Sequence, residues 1–183
     1  MQLTQHSSRY SAISITMHWL MFLLIVAVYA CIELREIYPK GSDPREALKM
    51  WHFMLGLCVF ILIWVRLFFI VKTKSPDIVP TPPKWQHLLS KAVQGLLYLL
   101  MIGLPILGWL MLSAKGKVIP FFGLELPALM GENKTLGDLF KEIHETGGVV
   151  GYYLIGLHAV AALFHHYVMR DNTLVRMLPK HTK

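Results

Sequence analysis

Four long stretches of the 183-residue chain contain no Asp, Glu, Lys or Arg, and they constrain its fold more than any other feature. Tyr10–Ile32 lies between Arg9 and Glu33, and Met50–Val65 lies between Lys49 and Arg66, with Leu67–Val71 beyond. Ala92–Ala114 lies between Lys91 and Lys115, and Thr146–Met169 between Glu145 and Arg170. A helix that crosses the hydrocarbon of a bilayer needs about 20 apolar residues. Three windows reach that length outright, and the second reaches it if Arg66 snorkels to the surface near its helix end. Only 16% of residues are charged and 55% are hydrophobic, where a soluble domain carries about a quarter charged. The pattern predicts an all-α fold: an integral membrane four-helix bundle, one domain over 1–183, with helices near 11–34, 44–71, 85–113 and 136–169.

Local signals support these spans. Asp43-Pro44-Arg45-Glu46 reads as a cap, a proline at the first helical position and a glutamate in the first turn. Thr135-Leu136-Gly137-Asp138 reads as a weaker capping box. Pro105 is expected to kink the third helix. Pro76, Pro80, Pro82 and Pro83 mark an extended connector. The first apolar run is too long for a cleaved signal peptide and has no A-x-A-like site after it. Cys31 and Cys58 lie in apolar runs and read as small packing residues. The tryptophans read as interfacial anchors.

An even number of crossings puts both termini on one side. That side carries ten Lys and Arg against Asp77 and Asp171, and the other carries eight basic and nine acidic residues. The basic excess assigns both termini to the cytoplasm. It also accounts for the net charge of +7 and pI near 9.5 without a nucleic-acid partner.

Histidine is the second constraint. His6 and His181 are terminal, and His87 sits at the expected interface with Lys84 and Lys91. His18, His52, His144, His158, His165 and His166 fall in or beside membrane helices, where an ionisable side chain marks function by default. His144 and His158 are 14 residues apart, about 3.9 turns, so they share a helix face about 21 Å apart along its axis. Depth counted from the helix starts matches His52 with His144 and His18 with His158. Two tiers of two imidazoles suit two stacked bis-histidine haems. Small residues accompany them: Gly56 after His52, Gly147, Gly148 and Gly151 after His144, and Ala161 and Ala162 after His158. Such residues either leave room for a porphyrin or let membrane helices approach.

With these residues in view, the chain resembles the bacterial cytochrome b561 family over nearly its whole length. The matching pieces are Met17-His18-Trp19-Leu20, His52-Phe53-Met54-Leu55-Gly56, His144-Glu145-Thr146 and the tail from Gly156, GLHAVAALFHHYVMRDNTLVRMLP. The resemblance implies two b haems. Their iron ligands would be His18 and His158 for the cytoplasmic-side haem, and His52 and His144 for the periplasmic-side haem. The tail looks closest to the superoxide oxidase branch, which implies electron transfer from superoxide to ubiquinone in the bacterial inner membrane.

His165 is seven residues beyond His158 and returns to its face within about 20°. It is the expected hydrogen-bond partner of a quinone carbonyl, with His166 assigned to lipid headgroups or to the region of Asp171. Lys115 and Lys117 follow the third helix and are expected to attract superoxide, or to pair with haem propionates. Two other functions fit part of the pattern. One is a generic quinone-linked electron relay, or the b subunit of a larger redox complex. The other is a metal or proton transporter, although neither internal repeats nor broken helices are visible.

Overall fold

The structure, a computed structural model, describes residues 9–179; His6, Lys180, His181 and Lys183 lie outside it. Four helices are long and apolar enough to cross a membrane. α1 spans Ala12–Leu34 and continues as a 3₁₀ turn over Arg35–Ile37. α2 spans Asp43–Lys72, α3 Lys84–Ala114 and α4 Lys134–Tyr167. Each carries large apolar side chains into the surroundings, among them Leu23, Ile61, Phe68, Leu99, Tyr153 and Val160. Continuous apolar surface on every helix suits lipid.

The helix starts differ in detail from the sequence reading. Asp43 is the first residue of α2, and Ser42 precedes it with its hydroxyl donated to the Pro39 carbonyl (2.8 Å). α4 begins one residue before Thr135. Its cap is Asn133, whose side-chain oxygen accepts the Leu136 N–H (3.0 Å). Asparagine is among the strongest N-caps, and Asp138 is left to pair elsewhere. α3 runs on through Pro105.

α1 packs along α2 and α3 along α4, and α2 joins these two hairpins through α3. One core cluster is Met21, Val59 and Ile63 with Tyr98, Met101 and Ile102 around it. The backbone of α4 stands off from α1 and α2, and side chains cross that gap. Arg66 of α2 is half-buried, with its Nε 3.4 Å from the Tyr98 hydroxyl of α3 and its Nη1 enclosed without a hydrogen-bond partner among the described residues.

Between α3 and α4 the sequence reading missed an antiparallel hairpin, β1 Ile119–Phe121 with β2 Leu124–Leu126. Its two turn residues, Phe122 and Gly123, have φ of 48° and 86°. That is the left-handed turn that tight hairpins favour, usually announced by Asn-Gly or Asp-Gly. A phenylalanine at the first position hides the signal. Its ring packs edge-on to Trp51 of α2, 6.2 Å between centroids.

The described ends of the chain meet at one end of the bundle, the termini end. Arg9 donates to the Leu178 and Pro179 carbonyls, and the Tyr10 N–H to Arg176. The buried Arg176 reaches the Pro76 carbonyl of the α2–α3 connector. At the opposite, loop end, buried Arg45 binds the carbonyls of Arg35 (3.0 Å) and Tyr38 (2.9 Å) and the Glu36 carboxylate (2.9 and 3.0 Å). Arg45→Ala removes the donor from both carbonyls. Hydrogen bonds to a charged group contribute about 1.5–3 kcal/mol each, so we expect a loss on the order of 2–3 kcal/mol. It should be measurable as a lower unfolding midpoint in detergent, with the helix content unchanged before unfolding.

Candidate cofactor site

The structure brings the four intramembrane histidines together as two pairs, each across the gap beside α4. At the loop-end tier, His52 of α2 faces His144 of α4 with ring centroids 6.1 Å apart and planes inclined by 76°. At the termini-end tier, His18 of α1 faces His158 of α4 at 6.3 Å and 61°. All four are partly buried.

In the loop-end pair each ring is held by a backbone carbonyl from the helix packed beside it. His52 Nδ1 lies 3.0 Å from the Val28 oxygen of α1, and His144 Nδ1 lies 2.9 Å from the Leu104 oxygen of α3. A carbonyl only accepts, so Nδ1 is the protonated nitrogen and Nε2 keeps its lone pair. Gly108 of α3 lies beside His144, where a Cβ would make ordinary contact with the ring at 3.4 Å. In the other pair, the Trp19 ring stands edge-on to His18 at 5.3 Å, and its indole N–H donates to the Met177 carbonyl (2.8 Å). This tryptophan is tied to protein as well as placed near a helix end.

These residues fit haem. With metal–nitrogen bonds of about 2.0–2.1 Å and a ring centre about 1.1–1.2 Å behind each nitrogen, two axial imidazoles have centroids about 6.4 Å apart. Both observed spacings fall close to that value. Among the described residues no three His, Cys, Asp or Glu side chains form a cage for a bare ion. Imidazoles in twos leave the equatorial positions to a macrocycle.

The glycines divide between the two roles open to them. A Cβ on Gly56 or Gly148 would meet nothing within 4 Å, so these positions leave room beside the rings. Gly147 and Gly151 serve helix contact: a Cβ on Gly147 would lie 2.7 Å from Leu104 Cδ2, and one on Gly151 would overlap the Tyr29 hydroxyl. That hydroxyl donates to the Gly148 carbonyl (2.8 Å), and the Tyr29 ring lies 4.1 Å from that of Tyr152. Tyr152 in turn donates to Glu33 of α1 (2.8 Å). Two tyrosines thus span the gap between α1 and α4.

The remaining expected residues are placed less simply. Lys115 Nζ is 2.8 Å from Asp138, which neutralises its charge locally. Lys117 is exposed on the rim of a cleft of about 440 Å³ that also carries Glu125 and Glu132. The Asp171 region belongs to His165 and not to His166. His165 Nδ1 lies 2.6 Å from the Asp171 carboxylate, and the Asp171 N–H donates to the His165 carbonyl (3.1 Å). His166 stacks edge-on against Tyr167 at 4.8 Å. The reason is local: the chain turns at Arg170, φ 55°, and folds Asp171 back over the last turn of α4. The i+6 spacing of His165 and Asp171 was visible in the sequence, but that reversal was not.

A membrane-spanning bundle with two stacked imidazole pairs is the architecture of a membrane cytochrome b. The family model for prokaryotic cytochrome b561 matches residues 9–180, and the chain belongs to that family, whose members bind haem b. It is 38% identical over 173 residues to cytochrome b561 homolog 1 of Escherichia coli (strain K12), covering 94% of this chain and 98% of the relative. It is 39% identical over 172 residues to a Yersinia pestis protein named probable superoxide oxidase CybB, covering 94% and 97%. Cytochrome b562 of Cereibacter sphaeroides is 28% identical over 173 residues, covering 92% and 94%. The chain is therefore a multi-pass bacterial membrane cytochrome.

Two predictions follow from this geometry. Burial pushes the Asp171 carboxyl up, but hydrogen bonds from His165 and from the Thr173 N–H outweigh it and hold the group below the ordinary carboxylate range. A depressed native pKa contributes stability above the unfolded value, about 3.9, and that stability is lost as pH falls through the lower native value. Asp171→Asn should therefore unfold earlier than wild type at pH 7, with the difference closing below about pH 4; melts at both pH values check this. Separately, Gly151→Ala should displace the Tyr29 hydroxyl and lower the melting point, whereas Gly148→Ala should leave the melting point of haem-free protein unchanged. Equal losses would place the tyrosine bridge outside the packing constraint.

Proposed function

We propose that this chain is a dihaem superoxide:ubiquinone oxidoreductase of the bacterial inner membrane, with both termini cytoplasmic. One haem b would be held by His52 and His144 on the periplasmic side and the other by His18 and His158 on the cytoplasmic side. The observation that carries the reading is the pair of imidazole tiers, with centroids 6.1 and 6.3 Å apart. The orientation rests on the basic excess at the termini end. The superoxide assignment rests on similarity to the protein named probable superoxide oxidase.

In this reading two superoxide anions give up one electron each and leave as oxygen. Ubiquinone takes the two electrons and two protons to become ubiquinol. Two b haems held by these four histidines would supply one-electron relay. The chain's own residues do the rest. The Val28 and Leu104 carbonyls fix the loop-end imidazoles with Nε2 unprotonated. Lys117, and Lys115 to the extent that Asp138 leaves it, draw the anion toward the loop end. His165, with Nδ1 on Asp171, has Nε2 left to bind a quinone oxygen and pass a proton, while Asp171 fixes the ring's orientation.

A pyridine haemochrome assay should give two haems per chain, and the reduced-minus-oxidised spectrum should be low-spin. His52→Ala or His144→Ala should alter one electron paramagnetic resonance signal, and His18→Ala or His158→Ala the other. In stopped flow, superoxide should reduce the purified protein, and Lys117→Glu should slow that step roughly two- to tenfold at low salt. The difference should vanish near 1 M salt, where the Debye length is about 3 Å. His165→Ala should leave that step fast and slow reoxidation by ubiquinone. Two intact haems with no superoxide-driven reduction would return the chain to a generic quinone-linked relay.

A further inference from the structure

We propose that Arg66 is a carboxylate-binding residue at the termini-end tier, and that its ligand is a propionate of the haem seated between His18 and His158. The inference rests on the haem reading above and adds a residue on α2 to that tier. Register is the first observation. Arg66 follows His52 by 14 residues, as His158 follows His144. The interval is about 3.9 turns and about 21 Å. α2 therefore presents His52 at one tier and Arg66 at the other, on faces within about 40° of each other.

Depth agrees. Arg66 is six residues from Lys72, the end of α2, and His18 is six residues from Ala12, the start of α1. Both helix ends lie at the termini end.

Its hydrogen bonding is incomplete. Guanidinium carries five N–H donors in a planar fork and stays charged in proteins. The partner named by the structure is the Tyr98 hydroxyl at 3.4 Å from Nε, longer than an ordinary N–H···O bond. Nη1 is enclosed and has no partner among the described residues. An uncompensated cation at this depth is costly, and such residues pair inside the bundle. Among the described residues this end offers two side-chain carboxylates. Asp171 is bound to His165 and Thr173, and Asp77 lies in the connector beyond α2. A ligand carboxylate matches the fork in charge and geometry, whereas a quinone carbonyl would leave the charge unbalanced. Removing a cation near a redox centre disfavours its reduced, less positive state.

The test uses the holoprotein purified with its haems, as wild type, Arg66→Gln and Arg66→Lys. Spectroelectrochemical titration should show one of the two potentials lowered in Arg66→Gln and the other unmoved, with Arg66→Lys nearer wild type. Redox-difference infrared spectra of protein carrying haem labelled with carbon-13 at the propionate carboxylates should show a displaced carboxylate band in both variants. Two haems with unchanged potentials and unchanged labelled bands would overturn the proposal. So would loss of quinone binding with both readouts unchanged, which would assign Arg66 to the quinone. If Arg66→Gln does not accumulate, the labelled band of Arg66→Lys decides: displaced supports the proposal, unmoved overturns it. Fewer than two haems in wild type would instead defeat the underlying haem reading.

Discussion

A helix in hydrocarbon must satisfy its own backbone, which leaves side chains as the source of chemistry. The loop-end tier works within that constraint by using the second lone pair of carbonyls already engaged in helices. His52 of α2 borrows Val28 of α1, and His144 of α4 borrows Leu104 of α3. Each imidazole is thus oriented by the other helix of its own hairpin, so one pair of rings engages all four helices. The opposed nitrogens stay deprotonated, which is the state a ligand to iron requires.

The same constraint explains why α4 stands away from α1 and α2. Imidazoles that meet at 6.1–6.3 Å between centroids hold their helices farther apart than small-residue packing would. Between α3 and α4 the contact is closer: Gly147 meets Leu104 where a Cβ would overlap it. Gly151 admits Tyr29 at the height where the chain bridges the gap with side chains. Tyr29 and Tyr152 each reach across it and end on a polar acceptor of the opposite helix.

Periodic features were legible in the sequence. Four uncharged windows gave the helices, and the 14-residue spacing on α4, combined with topology, gave the two histidine pairs that the structure brings together. Features that depend on chain reversal or on a distant partner were not legible. Phe122-Gly123 lacks the usual turn residues, so the β1–β2 hairpin was invisible. Asn133 was passed over for Thr135 because the capping-box pattern was sought three residues ahead of Asp138, whose carboxylate instead binds Lys115 from another helix. Asp171 reaches His165 because Arg170 adopts a left-handed backbone. The contact of Arg66 with Tyr98 joins α2 to α3, a distant partner that no local spacing announces.

Polar ties concentrate at the two ends of the bundle, and they differ in kind. At the loop end, Arg45 gathers carbonyls and a carboxylate from the α1–α2 connection, a purely local clasp. At the termini end, residues 171–178 join elements far apart in sequence. Asn172 exchanges hydrogen bonds with Val79 and donates to Asp77, Arg176 reaches Pro76, and Met177 accepts from Trp19. That segment therefore couples α1, the α2–α3 connector and α4 at the tier formed by His18 and His158. Neighbouring carbonyls orient the rings of the loop-end tier. At the termini-end tier, Trp19 beside His18 is held by the chain's own returning tail. The return of residues 171–178 over the end of α4 is thus part of the construction of the site: it places Asp171 on His165 and Met177 on Trp19 in one stroke.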